Sequence, residues 1–246
     1  RLESTRIRLE FERAAGDHVR AVQTELDSYI DSLHAISAFF RASEEVTRAE
    51  FSEFTRPLHA RHAGLRAFDW VPRVLVVERD AYERRVRDEI PGFRITELAP
   101  RGELKAASVR DEHFPIDYIE PVVPGDETIR GFDLGSHPVS SVPLYKSRDS
   151  GAVAVAGPLP LLVDQIDPSG YLVLLPQYGS GEIPTSLEIR REAFAGVIVA
   201  VLQLNQALRD AVAGLTPGGI DVELADGGNV VALQRTIAPE DASPRL

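Results

Sequence analysis

The chain has 246 residues, 43% hydrophobic and 26% charged, with a formal net charge of −11 and no cysteine. That length and balance suit a folded protein with one large core or two small ones, and exclude wholesale disorder. The acidic charge lacks the basic face of a nucleic-acid binder, and the missing cysteines exclude disulfides, thiol catalysis and thiolate metal sites.

The first forty residues read as one helix, free of proline and with a single glycine, Gly16. Within it Val19, Val22, Leu26, Tyr29, Leu33, Ile36 and Phe40 recur at alternating intervals of three and four. That is a heptad seam. It supports either a parallel dimer stalk or a stripe docked on the domain that follows. Thr47, with Glu50 three residues on, predicts a capping box for a second helix to about His59. Phe51, Phe54 and Leu58 form its apolar face, and Gly64 is expected to stop it. Leu65 to Val77 then reads as extended, and Arg79 to Glu89 as a charged helix closed by Pro91-Gly92.

Further strands are expected over Phe93–Leu98, Ile116–Val123, Ala152–Ala156 and Tyr171–Gln177. A short helix over Ser141–Ser150 should end at Gly151. A second unit is expected to open near Pro184. It would hold a strand over Gly196–Leu204, a helix over Gln206–Val212 capped by Asn205, and a hairpin of Ile220–Ala225 with Val230–Gln234. The short turns and interspersed helices predict an α+β protein with antiparallel sheets. Residues 1–62 are the stalk helix and second helix, 63–182 the first sheet unit and 183–246 the second.

Three stretches together resemble a known family. The first runs through Phe39-Phe40-Arg41-Ala42-Ser43, Glu50-Phe51, Arg61-His62-Ala63-Gly64-Leu65 and Trp70-Val71-Pro72-Arg73 to Glu78-Arg79. The second is Phe114-Pro115-Ile116-Asp117-Tyr118-Ile119-Glu120-Pro121. The third is Gly131-Phe132-Asp133-Leu134-Gly135-Ser136, followed by Arg148-Asp149-Ser150-Gly151 and the segment Ala152 to Leu159. In order, over about Phe39 to Tyr178, they resemble the CHASE domain, a sensory module of bacterial receptors and plant cytokinin receptors. The resemblance implies a stalk helix and two PAS-like units in tandem, the membrane-distal unit holding a ligand. It also implies a place between two transmembrane helices, in the periplasm or outside the cell, with output from a cytoplasmic histidine kinase, nucleotide cyclase or cyclic-diguanylate enzyme. A chain without methionine is expected to be part of a longer protein. Its longest apolar run, Phe194 to Leu202, is far short of the roughly 20 residues a membrane span needs. Membrane contact is therefore expected only through flanking spans.

The resemblance makes Asp133 the polar anchor of a ligand, Val155 a strand residue whose backbone meets it, and Leu172 and Leu174 its walls. The plant receptors carry threonine where Leu174 stands, and the residues after Pro138 also depart from many bacterial members, so a different ligand is expected. By strand alternation Asp133 points opposite to Phe132 and Leu134. It could accept from an amine or amide donor in an apolar pocket, or cap the turn at Gly135-Ser136. Tyr118 is placed near it as a pocket wall or as a core tyrosine. The ligand classes in view are purine-like compounds, amines and other small polar molecules. The alternative is a ligand-free module for dimerisation, through the N-terminal helix, or for protein docking.

No catalytic residue, metal site or cofactor is expected. Ser136 and His137 are adjacent and face opposite ways in extended chain. His59 and His62 lack further ligands for zinc. Gly179-Ser180-Gly181 lacks the lysine of a phosphate loop. Asp126-Glu127, in a Pro-Gly turn, reads as solvated.

Overall fold

A computed structural model describes residues 2–160, 169–179, 181–215, 219–226 and 229–235. In chain order the elements are α1 (Leu2–Ala42), α2 (Arg48–His59), β1 (Leu65–Pro72), β2 (Val74–Leu75), α3 (Arg79–Glu89), β3 (Thr96–Leu98) and β4 (Leu104–Ala106). Then come β5 (Glu112–His113), β6 (Tyr118–Glu120), α4 (Asp126–Ile129), α5 (Pro138–Ser150), β7 (Ala154–Pro160) and β8 (Ser169–Tyr178). The chain continues through α6 (Leu187–Ala193), β9 (Phe194–Leu202), α7 (Leu204–Val212), β10 (Val222–Asp226) and β11 (Asn229–Gln234). The α+β expectation holds: a long helix leads into antiparallel sheets.

The apolar stripe of α1 is spent inside the molecule. Tyr29, Leu33 and Ile36 are fully buried and Val22 nearly so. They contribute because a buried Leu or Ile side chain is worth about 1.5–3 kcal/mol in transfer free energy. Tyr29, Leu33 and Ile36 share a core with Phe51, Phe68, Val173, Ile198 and Ala200. From Val22 onward the seam is thus a docked stripe, and that part is not free for a partner helix. Val19, at its head, stays exposed, as do Ile7, Leu9 and Phe11 before it.

Helix α2 starts with the expected capping box: Thr47 Oγ1 accepts from the Glu50 N–H, and the Glu50 carboxylate accepts from the Thr47 N–H at 2.9 Å. It ends at His59 with Ala60 as C-cap, so Gly64 does not stop it. Gly64 instead lets two segments touch. A Cβ there would lie 2.5 Å from Ala207 Cα in α7.

One five-stranded sheet organises the domain, in the order β6-β1-β9-β8-β7 with every neighbour antiparallel. Strand β9 is its central strand, pairing Val197 with Val71 on one side and with Pro176 on the other. Both faces of β9 are covered, which is why it reads as an unbroken apolar run. The division expected at 182/183 falls between β8 and β9, adjacent strands of one sheet. Helix α6 lies between these two strands in the chain. What stands apart is the hairpin β10–β11, whose Ala232 packs with Leu208 of α7 and Val22 of α1. Nor does Asn205 cap α7. Gln203 occupies that position, and Asn205 Oδ1 accepts from the Leu233 N–H at 3.3 Å.

The two faces of the sheet carry different cores. Val173, Leu175, Ile198 and Ala200 face α1 and α2. Leu172, Leu174, Val197 and Val199 face the other way, against Leu144 of α5 and Phe114, Phe132 and Leu134. A smaller core joins α3 to β2 through Val74, Tyr82, Val86, Phe93 and Ile95.

Candidate functional site

Alternation along β1 sets one carboxylate against the fold. Phe68 and Trp70 face α1, while Ala67 and Val71 join the opposite core. Asp69 lies between them on that second face, in register between Ile119 of β6 and Val199 of β9. It is 4% exposed, and its Oδ1 has no hydrogen-bond partner. Burial, and then repulsion from Asp126, push its pKa up to about 8 against the pull of Arg66 and Arg130.

The charges around Asp69 are mostly spoken for. Arg66 Nη2 donates to Asp126 Oδ1 at 2.7 Å, and the Val123 N–H to Asp126 Oδ2 at 2.8 Å. Asp126 is fully buried, contrary to the solvated turn expected there. Arg48 donates to Asp117 Oδ1 at 2.7 Å, and the Tyr82 hydroxyl to Asp117 Oδ2 at 2.8 Å. Arg130, just after α4, differs: its Nε is shielded from solvent and has no hydrogen-bond partner. Burial, and then repulsion from Arg48, lower its pKa from the ordinary arginine value, against attraction from Asp117, Asp126 and Asp69. Arg130 lines an open cleft of about 460 Å³ between the first turn of α2 and the β6 edge.

Asp133 forms a second polar centre. It is fully buried and caps a 3₁₀ turn over Leu134–Ser136. Its Oδ1 accepts from the N–H groups of Phe114 at 2.8 Å and Gly135 at 2.9 Å. Its Oδ2 lies 2.8 Å from His113 Nδ1 and 3.6 Å from Arg110 Nη1. His113 is also fully buried, with its Nε2 3.4 Å from Arg79. Both oxygens of Asp133 are therefore engaged by the protein itself.

The other expected site residues fall in three places. Leu172 and Leu174 lie in the same core as Phe132 and Leu134, on either side of Asp133 in sequence. Fully buried Phe114 and Leu144 belong to that core too, the Phe114 ring standing 5.8 Å from Tyr145 and 5.9 Å from Phe194. Val155 sits on the edge strand β7, paired with Val173 and 58% exposed. Tyr118 is on the α1 side of the sheet, so it does not join Asp133. Its hydroxyl donates to the Val46 carbonyl at 3.0 Å, and its ring stacks under Arg48 and beside Phe51.

Residues considered for chemistry serve local structure. Ser136 Oγ donates to the Asp133 carbonyl at 2.6 Å, and His137 Nδ1 accepts from the Val139 N–H at 3.3 Å. His62 is buried against the Tyr29 ring with Ser32 Oγ 3.1 Å from its Nε2. Among the described residues no group of histidines and carboxylates is placed to hold a metal ion. Sequence reasoning missed His113, Asp69 and Arg130. Asp69 did leave a signal, a carboxylate set among apolar strand neighbours on both faces, Ala67 and Val71 on one and Phe68 and Trp70 on the other.

Helix α1 thus lies on one face of the antiparallel sheet and the buried carboxylate of Asp69 on the other. The family model for the CHASE domain matches residues 44–235. The chain belongs to the CHASE family, extracellular sensor domains of receptors, which are sensory and not catalytic. No curated protein matches the chain. No helix among the described residues is long and apolar enough to cross a membrane.

Proposed function

We propose that this domain is the extracytoplasmic sensor of a transmembrane receptor, held in the periplasm by flanking spans and coupled to a cytoplasmic kinase, cyclase or cyclic-diguanylate enzyme. The five-stranded sheet would be the distal PAS-like unit, extending to Leu202, and the hairpin β10–β11 part of the proximal one. A small molecule bound to the distal unit would bias two arrangements of α1 on the sheet, which requires unequal affinity for them. One observation carries this reading. Strands β8 and β9 bear the α5-side core on one face and the α1 contact on the other. A shift of Leu174 or Val199 would therefore reach Tyr29, Leu33 and Ile36 through the strands that also carry Val173, Leu175, Ile198 and Ala200.

A panel of purines, amines, amino acids and small carboxylates, screened by thermal shift on the folded domain, tests the idea. A ligand at about 100 times its Kd adds about 2.7 kcal/mol. For a chain of this size that raises Tm by roughly 5–10 °C. A folded protein that no compound stabilises would overturn small-molecule sensing.

The second reading, a ligand-free docking or dimerisation module, has support of its own. Asp133 has both oxygens occupied, and Phe114 and Leu144 fill the core beside it. Dimerisation through α1 would use the stretch before Val22, where Ile7 and Phe11, one turn apart, are exposed.

A further inference from the structure

We infer that the cleft between the first turn of α2 and the β6 edge binds a small organic carboxylate with an apolar body, anchored by Arg130. The inference rests on the sensor reading and moves the polar anchor away from Asp133.

The charge balance of the cluster comes first. Arg48, Arg66 and Arg130 face Asp117, Asp126 and Asp69. Two pairs are made, Arg48 with Asp117 and Arg66 with Asp126, each at 2.7 Å. The third is not made within ion-pairing distance among the described residues. Asp69, with its pKa near 8, is largely protonated at neutral pH. Arg130 then makes no ion pair of its own among the described residues, and its shielded Nε has no acceptor. A buried donor left unpaired is costly, and a carboxylate is the geometric complement of a guanidinium.

The surroundings narrow the ligand. The N–H groups of Arg48 and Ala49, in the first turn of the 12-residue helix α2, have no partner within the helix. They form its positive end and add to the pull on an anion. Phe51, Ile119 and Val122 supply an apolar wall. Two acids stand in the lining, Glu89, whose Oε2 is 3.3 Å from Arg48 Nε, and Glu120, 3.9 Å from Arg56. They repel a multiply charged anion more than a singly charged one. The fit is therefore to a monocarboxylate, not to phosphate.

Calorimetric titration of the 246-residue chain at pH 7 with phenylacetate and with isovalerate tests the assignment, using phenylacetamide and inorganic phosphate as comparisons. Both carboxylates should bind saturably. The amide and phosphate should bind about tenfold more weakly or worse, the scale of one lost charge-assisted hydrogen bond. Arg130→Gln should weaken the carboxylates by at least about tenfold on the same grounds. Because Arg130 neighbours buried aspartates, Ala49→Glu provides an independent variant. An acid in the first turn suits the helix but sets a negative charge in the cleft, so binding should fall while Tm holds. Absent carboxylate binding, or binding untouched by both variants, or phosphate binding as tight as phenylacetate, overturns the inference. If purines or amines stabilise the domain and carboxylates do not, the inference falls while the sensor reading stands.

Discussion

Replacing Asp69 with asparagine should remove a pH dependence built into the centre of the sheet. In the unfolded chain this carboxyl has its ordinary value of 3.8, and in the fold about 8. The folded state therefore holds one more proton than the unfolded state between those limits. Stability must fall as pH rises through that window, the reverse of a salt-bridged aspartate. The slope for one proton is about 1.4 kcal/mol per pH unit, so from pH 6 to pH 8 the wild-type domain should lose on the order of 2–3 kcal/mol. At roughly 2–4 °C per kcal/mol, that lowers Tm by about 5–10 °C. An asparagine side chain has a similar shape and no proton to lose, so the Asp69→Asn variant should be the more stable protein at pH 8. Melting followed by circular dichroism at pH 6, 7 and 8 on both proteins reads the effect, and the difference between them cancels every group they share. Parallel Tm profiles would refute the reasoning, showing that Asp69 finds water or Arg130 when it ionises.

Below pH 5 the slope should turn over. Burial raises Glu97, yet bonds from Ser108, Arg110 and Lys105 draw it down to about 2. Its contribution is present above pH 4.5 and lost as pH falls toward 2, so stability should peak near pH 5 in a denaturant series. Leu33→Ala, at a fully buried position beneath the sheet, should cost about 2–5 kcal/mol by urea unfolding. A loss below about 1 kcal/mol would mean that α1 is not seated as described. Asp133→Asn exchanges an acceptor of three protein contacts for an amide that cannot satisfy them all. It should lower stability by about 1–3 kcal/mol with no ligand added, and an unchanged Tm would argue that Asp133 is free for a ligand. Gly64→Ala should lower Tm sharply, since its Cβ would meet the Ala207 backbone.

Local signals in the chain were dependable. The Thr47–Glu50 box, the Arg79–Glu89 helix and the arrest of α5 at Gly151, whose φ is 74°, all read directly from residue type and spacing. The long-range choice was not legible. The seam of α1 fits a partner helix and a sheet face equally well, because period records which side is apolar and not what covers it. The division expected at 182/183 shows a related limit. A Gly- and Pro-rich connection looks the same whether it joins two units or two neighbouring strands, and only the pairing of β9 with β1 decides. The motif around Asp133 offered a ligand anchor or a turn cap; the Gly135 bond of that cap is local, but those with Phe114 and His113 come from some twenty residues away. Arg130 gave no sequence signal, since its unpaired state depends on which partners its neighbours have already taken.

Helix α1 has the proportions of a lever. Its 41 residues span about 60 Å at 1.5 Å per residue. Tyr29, Leu33 and Ile36 seat it on the sheet, and the fulcrum is the last docked contact before the exposed end, Val22 against Leu208 and Ala232. From Val22 to Ser4 the arm is about 27 Å, so a tilt of about 5° at the fulcrum would carry the far end roughly 2 Å. Repacking too small to disturb the core around β8 and β9 is thus enlarged where the chain leaves the folded body.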